Sequence, residues 1–283
     1  MSKSKPVGLI ASGSVPSSAF ARLPGLLEQL GPVKSHSVRV ASRFANSIGA
    51  GRPVHDYASL EHCRVISILV PDAELEGIVV DLCAAGMEWE ERTVLLLDTW
   101  LDSTDLAPLA ALGAETGSLC HAEFDTEARA LVEGSRVALI EAKRLLRGSG
   151  FRVFPVEPSA KPLVLAGLTL SETLVFPLLA AAEECLKRGG IPPKQALGIL
   201  DRATVRASRA YGISRRKAWP GPLAASNRRL MRRQMAALAA ADPMTARFLA
   251  TASREALSYF EKDSAWLDGL FLHANSGKGA GQG

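Results

Sequence analysis

The chain of 283 residues is poor in cysteine, histidine and aromatic side chains, with four cysteines, five histidines and 6% Phe, Trp and Tyr. Cys63, Cys83, Cys120 and Cys185 form no C-x-x-C pair and no metal-ligand spacing, which excludes a zinc ribbon and a disulfide-stapled scaffold. No metal site is expected. There is no G-x-S-x-G elbow, no phosphate-binding P-loop and no internal repeat, so hydrolase, NTPase and solenoid readings fall away. Behind the polar, basic residues 1–5 no apolar stretch of signal-peptide length follows, and a reducing cytoplasm is the expected compartment. The dinucleotide fingerprint G-x-G-x-x-G is also incomplete. In Val7-Gly8-Leu9-Ile10-Ala11-Ser12-Gly13-Ser14-Val15-Pro16 its three glycine places hold Ala11, Gly13 and Pro16.

What remains of that loop still carries meaning. Gly13 keeps the place where backbone must approach a pyrophosphate, and proline is tolerated in the first turn of a helix. A pyrophosphate could rest on that helix N-terminus. Gly8, Ala11, Gly13, Ser14 and Val15 are therefore the first cofactor-binding candidates.

With 47% hydrophobic residues the chain can build one large or two ordinary cores. Short apolar runs at residues 7–10, 37–41, 65–70, 94–97, 118–119 and 152–156 read as strands. Amphipathic stretches at 19–30, 73–85 and 135–147 read as helices between them. This is the pattern of an α/β domain with a doubly wound, Rossmann-like parallel sheet over residues 1–158. Beyond Pro158 every segment reads helical, with proline-marked starts at Pro162, Pro192, Pro222 and Pro243, which predicts an all-α domain over 159–274 and a disordered tail over 275–283. Residues 166–186 are apolar around most of the helix and contain Glu172. We expect them buried in a bundle or a homodimer interface, with a membrane span disfavoured by Glu172, Gly167 and Pro177.

In this order of parts the sequence resembles the group containing pyrroline-5-carboxylate reductase and other beta-hydroxyacid-dehydrogenase-like enzymes. It is most similar to a branch in which a Rossmann-like domain precedes a helical domain of unknown function. The resemblance rests on the Gly13 loop, Ser42-Arg43, Val70-Pro71-Asp72 and Trp219-Pro220-Gly221-Pro222-Leu223, and spans nearly the whole chain. It implies that Ser42 and Arg43 follow the second strand and meet the 2′-phosphate of NADP, favouring NADP over NAD. It also implies that Val70, Pro71 and Asp72 lie beside the nicotinamide; a helix N-cap is the simpler role for Asp72. Where relatives show His-Pro, a Tyr-His pair, an Asn and Arg-Gly-Asp, this chain has His121-Ala122, Val164-Leu165, Glu172 and Ala225-Ser226-Asn227.

Catalytic candidates are His121, as a proton donor or acceptor at a strand end, Glu172, and Lys161 at the domain junction. Their ordinary alternatives are a hydrogen-bonded strand-end histidine, a Glu paired with a buried Arg, and a surface lysine. Cys120 and His121 point to opposite faces of a strand and cannot pair by adjacency. Asp98, ending a strand, is a further crevice candidate. Between Arg202 and Ala241 there are ten basic residues in the sequence and no acid, read as solvated faces, a partner contact or an anion site; nucleic acid is disfavoured by the scarcity of interleaved aromatics. Two functions follow. One is an NADP-dependent oxidoreductase acting on a small, anionic substrate. The other is a non-catalytic dimer that senses a nucleotide or docks a partner.

Overall fold

The structure is a computed structural model and describes residues 7–12, 23–123 and 128–267. The chain divides into two compact units, Met1–Leu168 and Thr169–Gly283. In chain order the first contains β1 (Val7–Ala11), α1 (Pro24–Leu27), β2 (Leu30–Lys34), α2 (Val38–Ile48), β3 (Arg52–Pro53), β4 (Val65–Leu69), α3 (Asp72–Ala84) and β5 (Thr93–Leu97). It continues through α4 (Ala107–Ala111), β6 (Glu115–Glu123), β7 (Ala128–Gly134), α5 (Arg136–Leu145), β8 (Arg152–Pro155) and α6 (Lys161–Leu168). The strands form one sheet in the order β3-β2-β1-β4-β5-β6-β7-β8. Every pairing is parallel except β6 with β7. The expected doubly wound α/β sheet is present.

Val, Ile and Leu dominate β1, β4 and β5, and all residues of these strands are buried, as parallel strands covered on both faces require. Val7, Leu9, Leu95, Leu97 and Leu119 meet Leu26, Phe44 and Leu145 from the helices on one face. Ile10, Ile66, Ile68, Val94 and Leu96 meet Leu75, Val79, Leu82 and Leu109 on the other. Each such side chain contributes about 1.5–3 kcal/mol by leaving water. Because β2 and β4 flank β1, the winding direction reverses beside β1, and open α/β sheets bind ligands at the carboxyl ends of strands at such a point.

The second strand is displaced from its sequence-based position. Val38 and Val40 alternate as a strand would, but Ser37 caps a helix there, its hydroxyl accepting from the Val40 N–H at 3.3 Å. Ala41, Phe44 and Ala45 then bury one face of α2. The strand is the preceding Leu30–Lys34, which begins at the last residue of the stretch 19–30 expected to be helical. β6 runs to nine residues rather than the short run expected, and β7 returns antiparallel to it.

Lys161 is neither a surface lysine nor a group open to substrate. Its side chain is fully buried, and Nζ donates to the Leu101 carbonyl and to Ser118 Oγ, both at 2.5 Å. Ser118 donates in turn to Glu133, itself fully buried, which also accepts from the Ser103 N–H and hydroxyl at 2.8 Å. Burial pushes the Lys161 ammonium pKa down, while Cys120 and Glu133 oppose that shift. The cation and carboxylate, bridged by Ser118, join the start of α6 to β6 and β7.

In the second unit a π-helical turn (Thr169–Thr173) leads to α7 (Val175–Arg188), α8 (Pro193–Ser214), α9 (Gly221–Ala224), α10 (Arg228–Ala241) and α11 (Pro243–Tyr259). Asp242 caps α11, accepting from the Met244 and Thr245 N–H groups. The buried cluster is small: Met235, Ala246 and Ala250, with Leu238, Ala239 and Leu249 against them. The apolar helix is not buried within the chain, against the bundle alternative. Leu170, Leu174, Phe176 and Leu178 are 47–74% accessible, and Glu172 stands exposed in the π turn rather than buried against an arginine. By length and composition Pro158–Arg188 would suffice to cross a membrane.

Removing the Glu133 carboxylate leaves Lys161 buried without its counter-charge. Glu133→Ala is expected to destabilise the chain by about 3–5 kcal/mol in urea unfolding. Replacing the pair together, Glu133→Leu with Lys161→Met, should recover most of that loss.

Candidate functional site

The carboxyl ends of β1, β2, β4, β5 and β6 bring together residues far apart in sequence. At the end of β1 Ala11 is 2% exposed and still in extended strand, so the place of the first glycine makes no special demand on the backbone. Gly8 is a packing residue, since a Cβ there would meet the Leu60 and Cys63 side chains at 2.8 and 3.0 Å. Gly13, Ser14 and Val15 lie outside the described residues. Ser12 donates from its N–H to the Leu69 carbonyl at 3.2 Å and from its hydroxyl to Glu74 at 3.0 Å, tying the end of β1 to β4 and α3.

Val70 and Pro71 follow β4 as the resemblance implies, but Asp72 is not the N-cap of α3. Pro71 is, and Asp72 opens the helix and accepts from Thr99 Oγ1 at 2.7 Å. Ile68, Val70, Asp72, Leu75, Leu96, Leu97, Thr99 and Leu101 line a small pocket between the ends of β4 and β5.

Ser42 and Arg43 do not follow the second strand; they sit within α2, and Arg43 is exposed there. The residues that do follow β2 are Ser35, His36 and Ser37. Lys34 Nζ donates to the Ser35 carbonyl at 2.5 Å and lies 4.7 Å from the Tyr57 ring. Ser35 is 4% exposed, and its hydroxyl meets no hydrogen-bond partner. His36 and Arg39 are exposed beside it. The strand displacement hid these three residues, which the sequence reading missed; the Ser37 N-cap was the signal that would have found them.

At the ends of β5 and β6 the structure joins two residues that the sequence offered separately. His121 Nδ1 lies 3.1 Å from Asp98 Oδ1. The His121 side chain is 3% accessible and the Asp98 side chain 37%. Asp98 holds φ +52°, a left-handed conformation uncommon for any residue but glycine and best tolerated by Asn and Asp. The imidazole makes an edge contact with Phe151 at 4.6 Å between centroids, and its Nε2 is buried without a hydrogen-bond partner. Cys120 points the other way, toward Lys161. Burial pushes its thiol pKa up to about 11, with Asp98 adding to the shift and Lys161 opposing it. Of the three catalytic candidates, His121 meets Asp98 at the carboxyl edge of the sheet, Lys161 is held in its own buried hydrogen-bond network, and Glu172 belongs to the second unit.

In the second unit Arg202, Arg206 and Arg209 line an open pocket on α8 together with Asp201, Val205, Ala210 and Ile213. Other members of the basic block have partners: Arg216 donates to the Tyr259 carbonyl at 2.5 Å, and Arg228 lies 3.5 Å from Asp263.

Residues 128–256 match the family model described as domain of unknown function DUF2520. No curated protein matches the chain. Among solved structures it is similar to an imine reductase variant from Myxococcus stipitatus in complex with NAD+, at 14% identity and TM-score 0.67, covering 94% of this chain and 99% of that one. It is also similar to an imine reductase from Aspergillus terreus in complex with NADPH4 and a dibenzazepine, at 14% identity and TM-score 0.56, covering 97% and 93%. Protein TM1727 from Thermotoga maritima is a third, at 12% identity and TM-score 0.57, covering 94% and 96%. These similarities show a shared fold, a Rossmann-like sheet followed by a helical carboxyl-terminal half.

Thiol chemistry checks the two faces of the sheet. Cys63, whose pKa burial also pushes up to about 11, and Cys120 should react with iodoacetamide at pH 8 roughly a hundredfold more slowly than a thiol of ordinary pKa, because the thiolate attacks. Both folded pKa values lie above the unfolded value of 9.0, so the stability these thiols contribute is present below pH 9 and is lost as pH rises from 9 through 11. Unfolding midpoints measured across that window should fall, and less steeply in Cys63→Ala.

Proposed function

We propose that this chain is an NADP(H)-dependent oxidoreductase acting on a small molecule, with its helical unit paired to that of a second copy. The observation that carries the reading is the set of polar groups at the carboxyl edge beside the reversal of winding, above all the buried, unpartnered hydroxyl of Ser35 at the end of β2. Open α/β sheets hold the adenosine ribose of a dinucleotide at that strand end. A buried hydroxyl lacking a partner costs about 1–3 kcal/mol, which a ligand oxygen would offset. No acid lies between Lys34 and Arg43 to hold a free ribose diol, whereas His36, Arg39 and the first N–H groups of α2 suit a phosphate. The residues present therefore fit a phosphorylated dinucleotide, with Ser35, His36 and Arg39 at the ribose phosphate and Ser12, Val70 and Pro71 along its path. Gly13, Ser14 and Val15 would take the pyrophosphate. Once bound, the reduced nicotinamide supplies a hydride; the chain's own task is to orient the substrate and manage its proton. Similarity to imine reductase complexes with NADPH4 and NAD+ supports the class of reaction without naming this chain's substrate.

Pairing rests on the second unit. Among the described residues of the second unit few apolar side chains are buried, Met231, Met235, Ala246, Ala250 and Leu257 among them, while Leu170, Leu174, Phe176 and Leu178 stand exposed. A second copy offers the same apolar surface, as two-fold interfaces require.

Calorimetric titration should give micromolar NADPH binding and weaker NADH binding. Arg39→Ala is expected to weaken NADPH roughly 10- to 100-fold, the loss of a charge-assisted hydrogen bond, with little change for NADH. Arg43→Ala should change both less than Arg39→Ala does. Equal loss for both dinucleotides in Arg39→Ala would remove the phosphate assignment, and no binding of either by the parent chain would favour the partner-docking reading. In sedimentation velocity the parent chain should run as a dimer, and Leu174→Asp with Phe176→Asp as a monomer.

A further inference from the structure

We propose that Asp98 and His121 form the proton-transfer unit of this site, and that the substrate it serves is a carbonyl compound or the matching alcohol rather than an imine. The inference rests on the oxidoreductase reading given above.

Two independent features single out the pair. His121 is hydrogen-bonded at one nitrogen: Nδ1 meets Asp98 at 3.1 Å, while Nε2 is buried and finds no hydrogen-bond partner among the described residues. Nearly all buried polar atoms find a partner, and one that does not calls for a cause. Asp98, the residue that anchors the ring, is in turn held at φ +52° immediately after β5. Backbone strain of this kind collects where a side chain must be aimed. The strand register explains the aim. Leu97 pairs with Leu119, so Asp98 leaves the sheet as β6 continues past it and places His121 alongside. Phe151 closes the third side of the ring. The carboxylate fixes the ring so that Nδ1 carries a hydrogen toward Asp98, leaving Nε2 as the atom that gives or takes a proton.

The chemistry of the substrate follows from having such an atom. An imine nitrogen is basic enough to arrive already protonated, and its reduction needs only hydride. A carbonyl oxygen is not, and its reduction would leave an alkoxide unless a proton is delivered as the hydride arrives. In the step proposed, the carbonyl carbon accepts a hydride from a reduced nicotinamide dinucleotide and forms a C–H bond. The C=O π pair moves to oxygen and takes the proton from Nε2–H of the imidazolium. The products are the alcohol, the oxidised dinucleotide and a neutral imidazole with its lone pair at Nε2, and the reverse direction oxidises the alcohol. Asp98 keeps its charge throughout and stabilises the imidazolium.

The test compares the full-length parent chain with His121→Gln and with Asp98→Asn, the latter chosen because Asn tolerates the left-handed backbone. Cyclohexanone and 2-methyl-1-pyrroline serve as ketone and imine probes with NADPH. The parent should turn over the ketone faster than the imine. Ketone turnover should fall roughly 100- to 10,000-fold in either variant, while NADPH affinity measured by calorimetry stays within about twofold. Independently of turnover, nitrogen-15 NMR of the labelled parent should find neutral His121 with its hydrogen on Nδ1. Full ketone turnover in both variants, faster imine turnover by the parent, or a neutral tautomer with hydrogen on Nε2 would each overturn the proposal. NADPH binding without ketone turnover by the parent overturns it as well while leaving the cofactor reading intact. Failure of the parent to bind NADPH overturns both.

Discussion

The first unit depends on strands that must be covered on both faces. β1, β4 and β5 expose no side chain, so helices have to lie on each side of the sheet, and that requirement sets the connections between strands. Helices following β1 and β2 take one face, and those following β4 and β5 take the other. The direction of winding therefore reverses between β1 and β4 and leaves strand ends at which polar side chains gather. Ser12, Ser35, Asp72, Asp98 and His121 occupy those ends because the register delivers them there. Hydrophobic burial fixes the frame; the polar residues at its edge inherit their positions from it.

Much of this was legible in the sequence where apolar periodicity was clean. Residues 65–70, 94–97 and 135–147 were read nearly as they fold because strand alternation or continuous apolar character and helical spacing did not compete there. They did compete at 30–48. Gly31 and Pro32 look like punctuation yet sit in a strand, while Val38 and Val40 look like a strand yet follow an N-cap. That one displacement moved the phosphate reading to Ser42 and Arg43 and concealed Ser35, His36 and Arg39. Asp98 and His121 were each visible as strand-end residues, but no spacing rule joins positions that meet only through the register of β5 and β6. Lys161 failed differently. A lysine before a proline-marked helix start ordinarily lies at the surface, and nothing local reveals a buried carboxylate contributed by β7.

The second unit presents the reverse situation, because the sequence specified a helix that wants burial and the chain by itself does not supply it. The π-helical turn at Thr169–Thr173 interrupts the hydrogen-bond ladder and carries the exposed Glu172, while the apolar residues on either side of it face outward. A lone surface helix of this composition is unstable in water. The expectation of burial is an argument about free energy rather than about one chain's contacts, and the pairing proposed above would satisfy it without any change in local structure.

Asp98 and the sealed lysine illustrate how the first unit places charge under different terms. Lys161 and Glu133 are buried and hydrogen-bonded through Ser118, Ser103 and the Leu101 carbonyl, so their contribution is to fix where α6 begins. The Asp98–His121 pair has its carboxylate open to water and its ring nitrogen closed off without a partner. A buried network whose charged ends are bridged resists change, whereas a pair left unsatisfied at one atom is stabilised by whatever brings that atom a partner. If folding alone had shaped both, the second would have been resolved as the first was, by one hydroxyl within reach of Nε2. Its persistence at the carboxyl edge of the sheet, beside a residue held in the left-handed region, is what the proposed proton transfer would account for.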